Sequence, residues 1–127
     1  MFDEKLIQIG NDLVAYNNAD QSRKALDELY DENAVSVEAA AAPDTPGREV
    51  KGLANIHGKH DWWDSAHDVH SSKAEGPFFH GDDRIGVIFE LDATTRETGE
   101  RFQMRELAVY HVQNGKIVRE EFYYPAQ

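Results

Sequence analysis

Apolar residues recur every three or four positions at the start of the chain. Phe2, Leu6, Ile9, Leu13 and Tyr16 share one helical face, which predicts an amphipathic helix over about 3–16. NNAD interrupts that period, and Asp20 is suited to cap a second helix whose stripe is Ala25, Leu26, Leu29 and Tyr30 and which should end near 31–33. AVSVE (34–38) reads as a short strand. AAAAPDTPG (39–47) carries two prolines and a glycine and predicts a loop, expected to be mobile and to border a pocket mouth. Leu53, Ile56, His60, Trp63 and His67 return to helical spacing and predict a third helix over 53–66. Strands are predicted at 69–76, 84–92, 101–112 and 116–124, with QNG as a hairpin turn between the last two. Helix, helix, strand, helix and then a run of strands is an α+β order: a curved antiparallel sheet with three helices on one face and an internal pocket between the layers.

The last hairpin contains Glu120 and Glu121 side by side, and strand side chains alternate, so one carboxylate should point inward. A two-residue turn would pair Val112 with Ile117 and set Glu120 opposite Val109. A three-residue loop with a glycine bulge would pair Val112 with Lys116 and set Glu120 opposite Ala108. One step of register exchanges the faces. The bulged register puts Phe102, Met104, Glu106, Ala108, Tyr110 and Val112 on one face with Val118, Glu120, Phe122 and Tyr124. It leaves Leu107, Val109, His111, Ile117, Arg119, Glu121 and Tyr123 on the other, where Arg105 and Arg119 can accompany Glu121. Because the alternative mixes charge onto both faces, the bulged register is the expected one. Glu120 then meets Glu106 on an apolar, tyrosine-bearing wall, where burial and a like charge raise a carboxyl pKa toward the range useful for proton transfer. The competing reading is that tyrosine hydroxyls or backbone groups satisfy these carboxylates structurally.

Composition narrows the function classes. The 127 residues suit one domain, and 13 basic against 24 acidic residues give a net charge of −11. That balance argues against nucleic acid and against anionic membranes as partners. Without cysteine there is no disulfide, thiol nucleophile or thiolate metal site. The start MFDEKLIQIG lacks the basic flank and apolar run of a signal peptide, so a cytoplasmic protein is expected.

Histidines raise other chemistry. His57 and His60, with Asp61 and Asp64 nearby, could present metal ligands, but helical zinc pairs more often use a spacing of four, and a solvated polar face explains the cluster. No metal is therefore expected. His67 and His70 should face opposite ways in a regular strand over 67–75, with His70 either lining the pocket or serving as a hydrogen-bonded wall residue. Trp62 and Trp63 cannot both face the core: Trp63 fits the helical stripe, and Trp62 would cap the pocket or sit at a subunit contact. Lys59 could pair with an inward glutamate, which would make the acidic cluster a salt bridge with little catalytic meaning.

The helix–helix opening, LYDENAVSVE, EVKGLANIHGKHDWWDSAHDVH and ETGERFQMRELAVYHVQNGKIVREEFYY together resemble the SnoaL-like branch of the nuclear transport factor two-like superfamily, over nearly the whole chain. The resemblance implies a single domain spanning 1–127, a cone-shaped α+β fold with a pocket between helices and sheet, and frequent dimers through the outer sheet face. It also implies relatives among ketosteroid isomerase, polyketide cyclases, epoxide hydrolases, dehydratases and non-catalytic members, so the fold does not settle the function. Glu38 matches the position of the isomerase base. The isomerase's oxyanion-hole aspartate corresponds to Ala108 and its helix-one tyrosine falls near Leu13, so isomerase chemistry of that kind is not expected.

Two functions are carried forward. The first is a cofactor-independent enzyme performing proton transfer on a small, mostly apolar molecule. Its catalytic candidates are Glu38, Glu106 and Glu120 as acid/base groups with His70 and Tyr110 or Tyr124 orienting the substrate, and its ligand contacts are Lys59, Trp62, Trp63, Met104, Tyr110, Phe122 and Tyr124. The second is a non-catalytic ligand-binding module of the same fold. An inward glutamate titrating far above its usual value favours the first; a tight Lys59–glutamate pair favours the second.

Overall fold

A computed structural model describes residues 3–42 and 45–125. Phe2 of the first stripe, and Pro43 and Asp44 of the proline-bearing loop, lie outside the described residues. The elements are α1 (Glu4–Asn18), α2 (Ser22–Leu29), β1 (Tyr30–Val37), β2 (Glu49–Lys51), α3 (Leu53–Ala66), β3 (His67–His80), β4 (Arg84–Thr95), β5 (Arg101–Gln113) and β6 (Lys116–Tyr123). The strands form one open sheet in the order β2-β1-β6-β5-β4-β3, with the three helices packed on one side. The sheet is mixed rather than antiparallel throughout, because β1 and β6 run parallel. That pairing joins distant segments of the chain, and no local turn signal announces it.

Helices α1 and α2 bury the stripes their spacing predicts, whereas of the third stripe Ile56 is buried and Leu53, His60, Trp63 and His67 are half-buried. Leu6, Ile9 and Leu13 of α1, Ala25, Leu26 and Leu29 of α2 and Ile56 of α3 meet Ile85, Val87, Ala108 and Ile117 of the sheet in one core. Asp3 caps α1, its Oδ1 accepting from the Leu6 N–H at 3.0 Å. Asp20 does not cap α2: its φ of 59° is left-handed, and Gln21 takes the cap position without a side-chain bond. The helix also ends earlier than expected, and Tyr30 opens β1. Gly10 is where α1 comes closest to the sheet; a Cβ there would lie 2.8 Å from the Phe79 ring.

β3 starts two residues before the predicted 69 and runs past Pro77 to His80, carrying bulges at Val69/Ser71 and Glu75/Phe78. Its free edge is covered at one point by α1. The Asn18 side-chain amide donates to Ala74 O at 2.9 Å and accepts from Ala74 N at 2.8 Å, so this edge residue presents no unpaired backbone.

The last hairpin differs from the expected register in an instructive way. Asn114 and Gly115 both have positive φ (52° and 74°) and make the two-residue turn, pairing Gln113 with Lys116 and Val112 with Ile117. A bulge then shifts the ladder, so that His111 faces Arg119 and Glu120 faces Tyr110. The expected partner, Ala108, is two residues away along the strand, an even step that keeps Glu120 on the predicted face. The bulge turns Ile117 inward, where it is fully buried, so it does not belong to the outer face as expected. Glu121 stays on the outer side with His111 and Arg119. Arg105 is not part of that group and pairs with Glu90 and Glu75.

Candidate functional site

Alternation along β1, β5 and β6 brings three carboxylates to the inner wall: Glu38 just beyond the end of β1, Glu106 on β5 and Glu120 on β6. Ser36, which pairs with Glu120 across the parallel ladder, lies between them. Lys59 reaches this wall from α3, three residues beyond the buried Ile56. Its ammonium pairs with Glu38, donates to Ser36 Oγ at 2.8 Å and lies 4.8 Å from the centre of the Phe122 ring. Tyr124 donates to the other Glu38 oxygen at 2.9 Å. Both Glu38 oxygens are therefore engaged, while Glu38 and Lys59 remain about a quarter exposed (25% and 23%).

Glu120 is 2% exposed, and its Oε1 accepts from the Tyr30 hydroxyl. Oε2 has no hydrogen bond of good geometry among the described residues; the Ser36 hydroxyl, which accepts from Lys59, keeps its own proton to offer Glu120. Burial raises the Glu120 pKa, opposed by Tyr30, Lys59 and Ser36. Burial likewise pushes the phenols of Tyr30 and Tyr110 well above their ordinary range, helped by the Glu120 charge. These three groups form the closed back of the wall.

Glu106 is different. It is mostly buried, and neither the charge of Lys59 nor any hydrogen bond among the described residues compensates the burial fully. Desolvation first, and the neighbouring Glu38 charge second, raise its pKa to about 7. Further along the inner face of the same strand stand Met104 and Phe102. Phe102 meets an aromatic group of α3 and β3: Trp63 stacks on His67 at 3.8 Å, and Phe102 contacts both edge-on at 6.4 and 5.8 Å.

The structure thus gathers Glu38, Glu106, Glu120, Lys59, Phe122 and Tyr124 on one wall, with Tyr110 buried behind it and Met104 and Trp63 along it. His70 is not there. It is exposed, with Nε2 2.7 Å from Thr94 Oγ1 on the opposite side of the sheet. Of the two histidines expected to face opposite ways, His67 takes the inner side. Trp62 is half exposed and touches His67 edge-on. The helical cluster near His57 is a clasp between helices: Arg23 pairs with Asp61 and Asp64, and His57 with Asp27. Burial lowers the His60 pKa to about 4.

Tyr30 and Ser36 were not singled out from the sequence. Ser36 could have been, since it shares strand parity with Ala34 and Glu38; Tyr30 was hidden by the helical period of the stretch before it. The expected internal pocket takes the form of a wall reached from solvent at Glu38, Lys59 and Glu106. A recess of about 600 Å³ lies elsewhere, over β3, β4 and β5, lined by Ser71, Ser72, Lys73, Glu90, Leu91, Asp92, Gln103, Met104 and Arg105. It contains none of the inward glutamates.

An open cone of three helices on a six-stranded mixed sheet, with acidic groups on its inner wall, defines the class of protein. A family model for the SnoaL-like domain matches residues 7–124, and the chain belongs to that family. A Mesorhizobium loti protein assigned as a SnoaL-like polyketide cyclase is 32% identical, with 94% of this chain and 98% of that one covered and a TM-score of 0.87. A Bacillus subtilis protein assigned as an isomerase is 24% identical, with coverage of 96% and 87% and a TM-score of 0.73. A Mycobacterium tuberculosis protein in complex with estradiol-17beta-hemisuccinate shares the fold at 17% identity, with coverage of 97% and 95% and a TM-score of 0.73. No curated protein matches the chain. No helix among the described residues is long and apolar enough to cross a membrane.

Proposed function

We propose that the protein is a cofactor-independent enzyme that moves protons on a small, mostly apolar molecule bound against the inner wall. The observation that carries this reading is Glu106: a mostly buried carboxyl without a hydrogen-bond partner among the described residues, whose pKa of about 7 lets it give or take a proton at neutral pH. Glu38 serves as a second carboxylate, paired with Lys59 and oriented by Tyr124. Relatives named as polyketide cyclases and isomerases support proton-transfer chemistry. A melting screen over small carbonyl compounds, enones and epoxides identifies binders. With a substrate so found, Glu106→Gln is expected to lower kcat by about 100-fold or more. Turnover by the glutamine variant within a factor of two of wild type removes Glu106 from the chemistry.

One observation favours a second reading, a binding module without turnover. Lys59 and Glu38 form a close pair whose remaining bonds are satisfied by Ser36 and Tyr124, as a structural bridge would be. Binding without turnover across the screen decides for that reading.

The protein is further proposed to be a homodimer through the outer sheet face. Phe78, Leu107 and Tyr123 are 50%, 39% and 53% exposed there, beside Ile88 and Val109. Light scattering should give twice the monomer mass at micromolar concentration. Val109→Asp should shift the protein to monomer, since it places an unpaired charge in an apolar contact. A monomeric wild type contradicts the assignment.

A further inference from the structure

We propose that the inner wall takes an amphipathic cation, with an amine against Glu106 and an apolar body lying over Met104 toward Phe102 and Trp63. This rests on the reading of the wall as a small-molecule site.

The balance of hydrogen-bond donors and acceptors carries the inference. Most donors on the wall are engaged, and the Ser36 and Tyr110 hydroxyls lie at its closed back beside Glu120 and Tyr30. Lys59 serves Glu38 and Ser36, Tyr124 serves Glu38, and Tyr30 serves Glu120. Acceptors remain. Among the described residues, Glu120 Oε2, on a residue 2% exposed, has no hydrogen bond of good geometry and only the Ser36 hydroxyl nearby, and the Glu106 carboxyl has no partner. Three carboxylates share one lysine, in a chain of net charge −11. An anionic ligand would have to displace Glu38 from Lys59 and lie beside Glu106, whereas an ammonium group brings both the donors and the charge that the wall lacks.

Shape fixes the rest of the ligand. Glu106 and Phe102 are four residues apart on β5, a span of about 13 Å in a strand. Met104 lies between them on the same face, and Trp63 and His67 continue the apolar surface beyond Phe102. A molecule with an amine at one end and an aromatic or alicyclic body at the other fits that span. The amine also acts on Glu106 itself: a cation beside the carboxyl lowers its raised pKa, so binding near neutrality expels a proton.

The test is calorimetry on the full chain with three matched probes, 4-phenylbutylamine, 4-phenylbutanol and 4-phenylbutyrate. At pH 8 the amine should bind about tenfold tighter than the alcohol, and the carboxylate weakest. That preference should shrink at pH 5.5, where Glu106 keeps its proton while the amine stays charged. Glu106→Gln should bring the amine to the alcohol's affinity. Alcohol or carboxylate binding as tightly as the amine to the wild type overturns the cation inference and leaves the small-molecule reading standing. Binding of none of the three overturns the inference, and takes the small-molecule reading with it only when the wider melting screen is also blank.

Discussion

Glu106→Gln is expected to make the protein more stable than wild type at pH 8, by about 2–3 kcal/mol, and to leave the two nearly equal at pH 4.5. The direction follows from the raised pKa. Between the ordinary value of 4.5 and the folded value of about 7, the folded state holds a proton that the unfolded chain has released. The stability associated with that proton is complete below 4.5 and is lost as pH rises through 7. Glutamine has no proton to lose, so the variant escapes the loss. Glu120, whose pKa burial also raises, acts in the same direction. Burial opposes the ionised form of Glu121, but His111 and Arg119 hold its pKa below the usual carboxylate range. Its contribution is present above that range and is lost as pH falls. Both groups are common to the two proteins, so comparing urea melts at each pH isolates Glu106. Equal stability at pH 8 would mean that this carboxyl is solvated and ordinary.

Lys59→Met should have a larger effect on stability than any exposed ion pair of the molecule. It removes the counter-charge of Glu38 and the donor to Ser36 while keeping a stem of similar length over Phe122. Breaking a buried pair by deleting one partner costs about 3–5 kcal/mol. With the pair a quarter exposed, a loss of about 2–4 kcal/mol is expected at pH 7. The same change should move Glu106 further up from about 7, because Lys59 is the charge that holds it down. Denaturant melts report the first effect and a carboxyl titration the second. A loss below about 0.5 kcal/mol would place the pair among surface bridges that contribute little.

Much of this arrangement was legible in the sequence because strand parity survives errors that strand pairing does not. The hairpin turn and the ladder shift were misjudged together, yet Glu120 faces inward because the two displacements add to an even step. Nothing in KIVRE marks a bulge, so Ile117 was assigned to the wrong side. Lys59 was legible as a partner for an inward glutamate because it sits one turn from Ile56 on the same helix. The parallel β1–β6 pairing was not legible, since it joins distant segments with no turn residue to signal it, and the three-residue β2 was too short to show an alternating pattern after its proline-bearing loop. Tyr30 was lost for a related reason: it continues the helical stripe of α2 in sequence but begins β1 in space. His70 was misplaced because the odd step from His67 could be assigned to either side, and only the packing of His67 on Trp63 decides it.

The carboxyl carbon of Glu106, observed by NMR across pH 3–9 in the wild type and identified by its loss in Glu106→Gln, tests the account most directly. The midpoint should lie near 7 and move downward when 4-phenylbutylamine is added. A midpoint near 4.5 would contradict it, because Glu106 would then be a solvated carboxyl and not a group poised to transfer a proton at neutral pH.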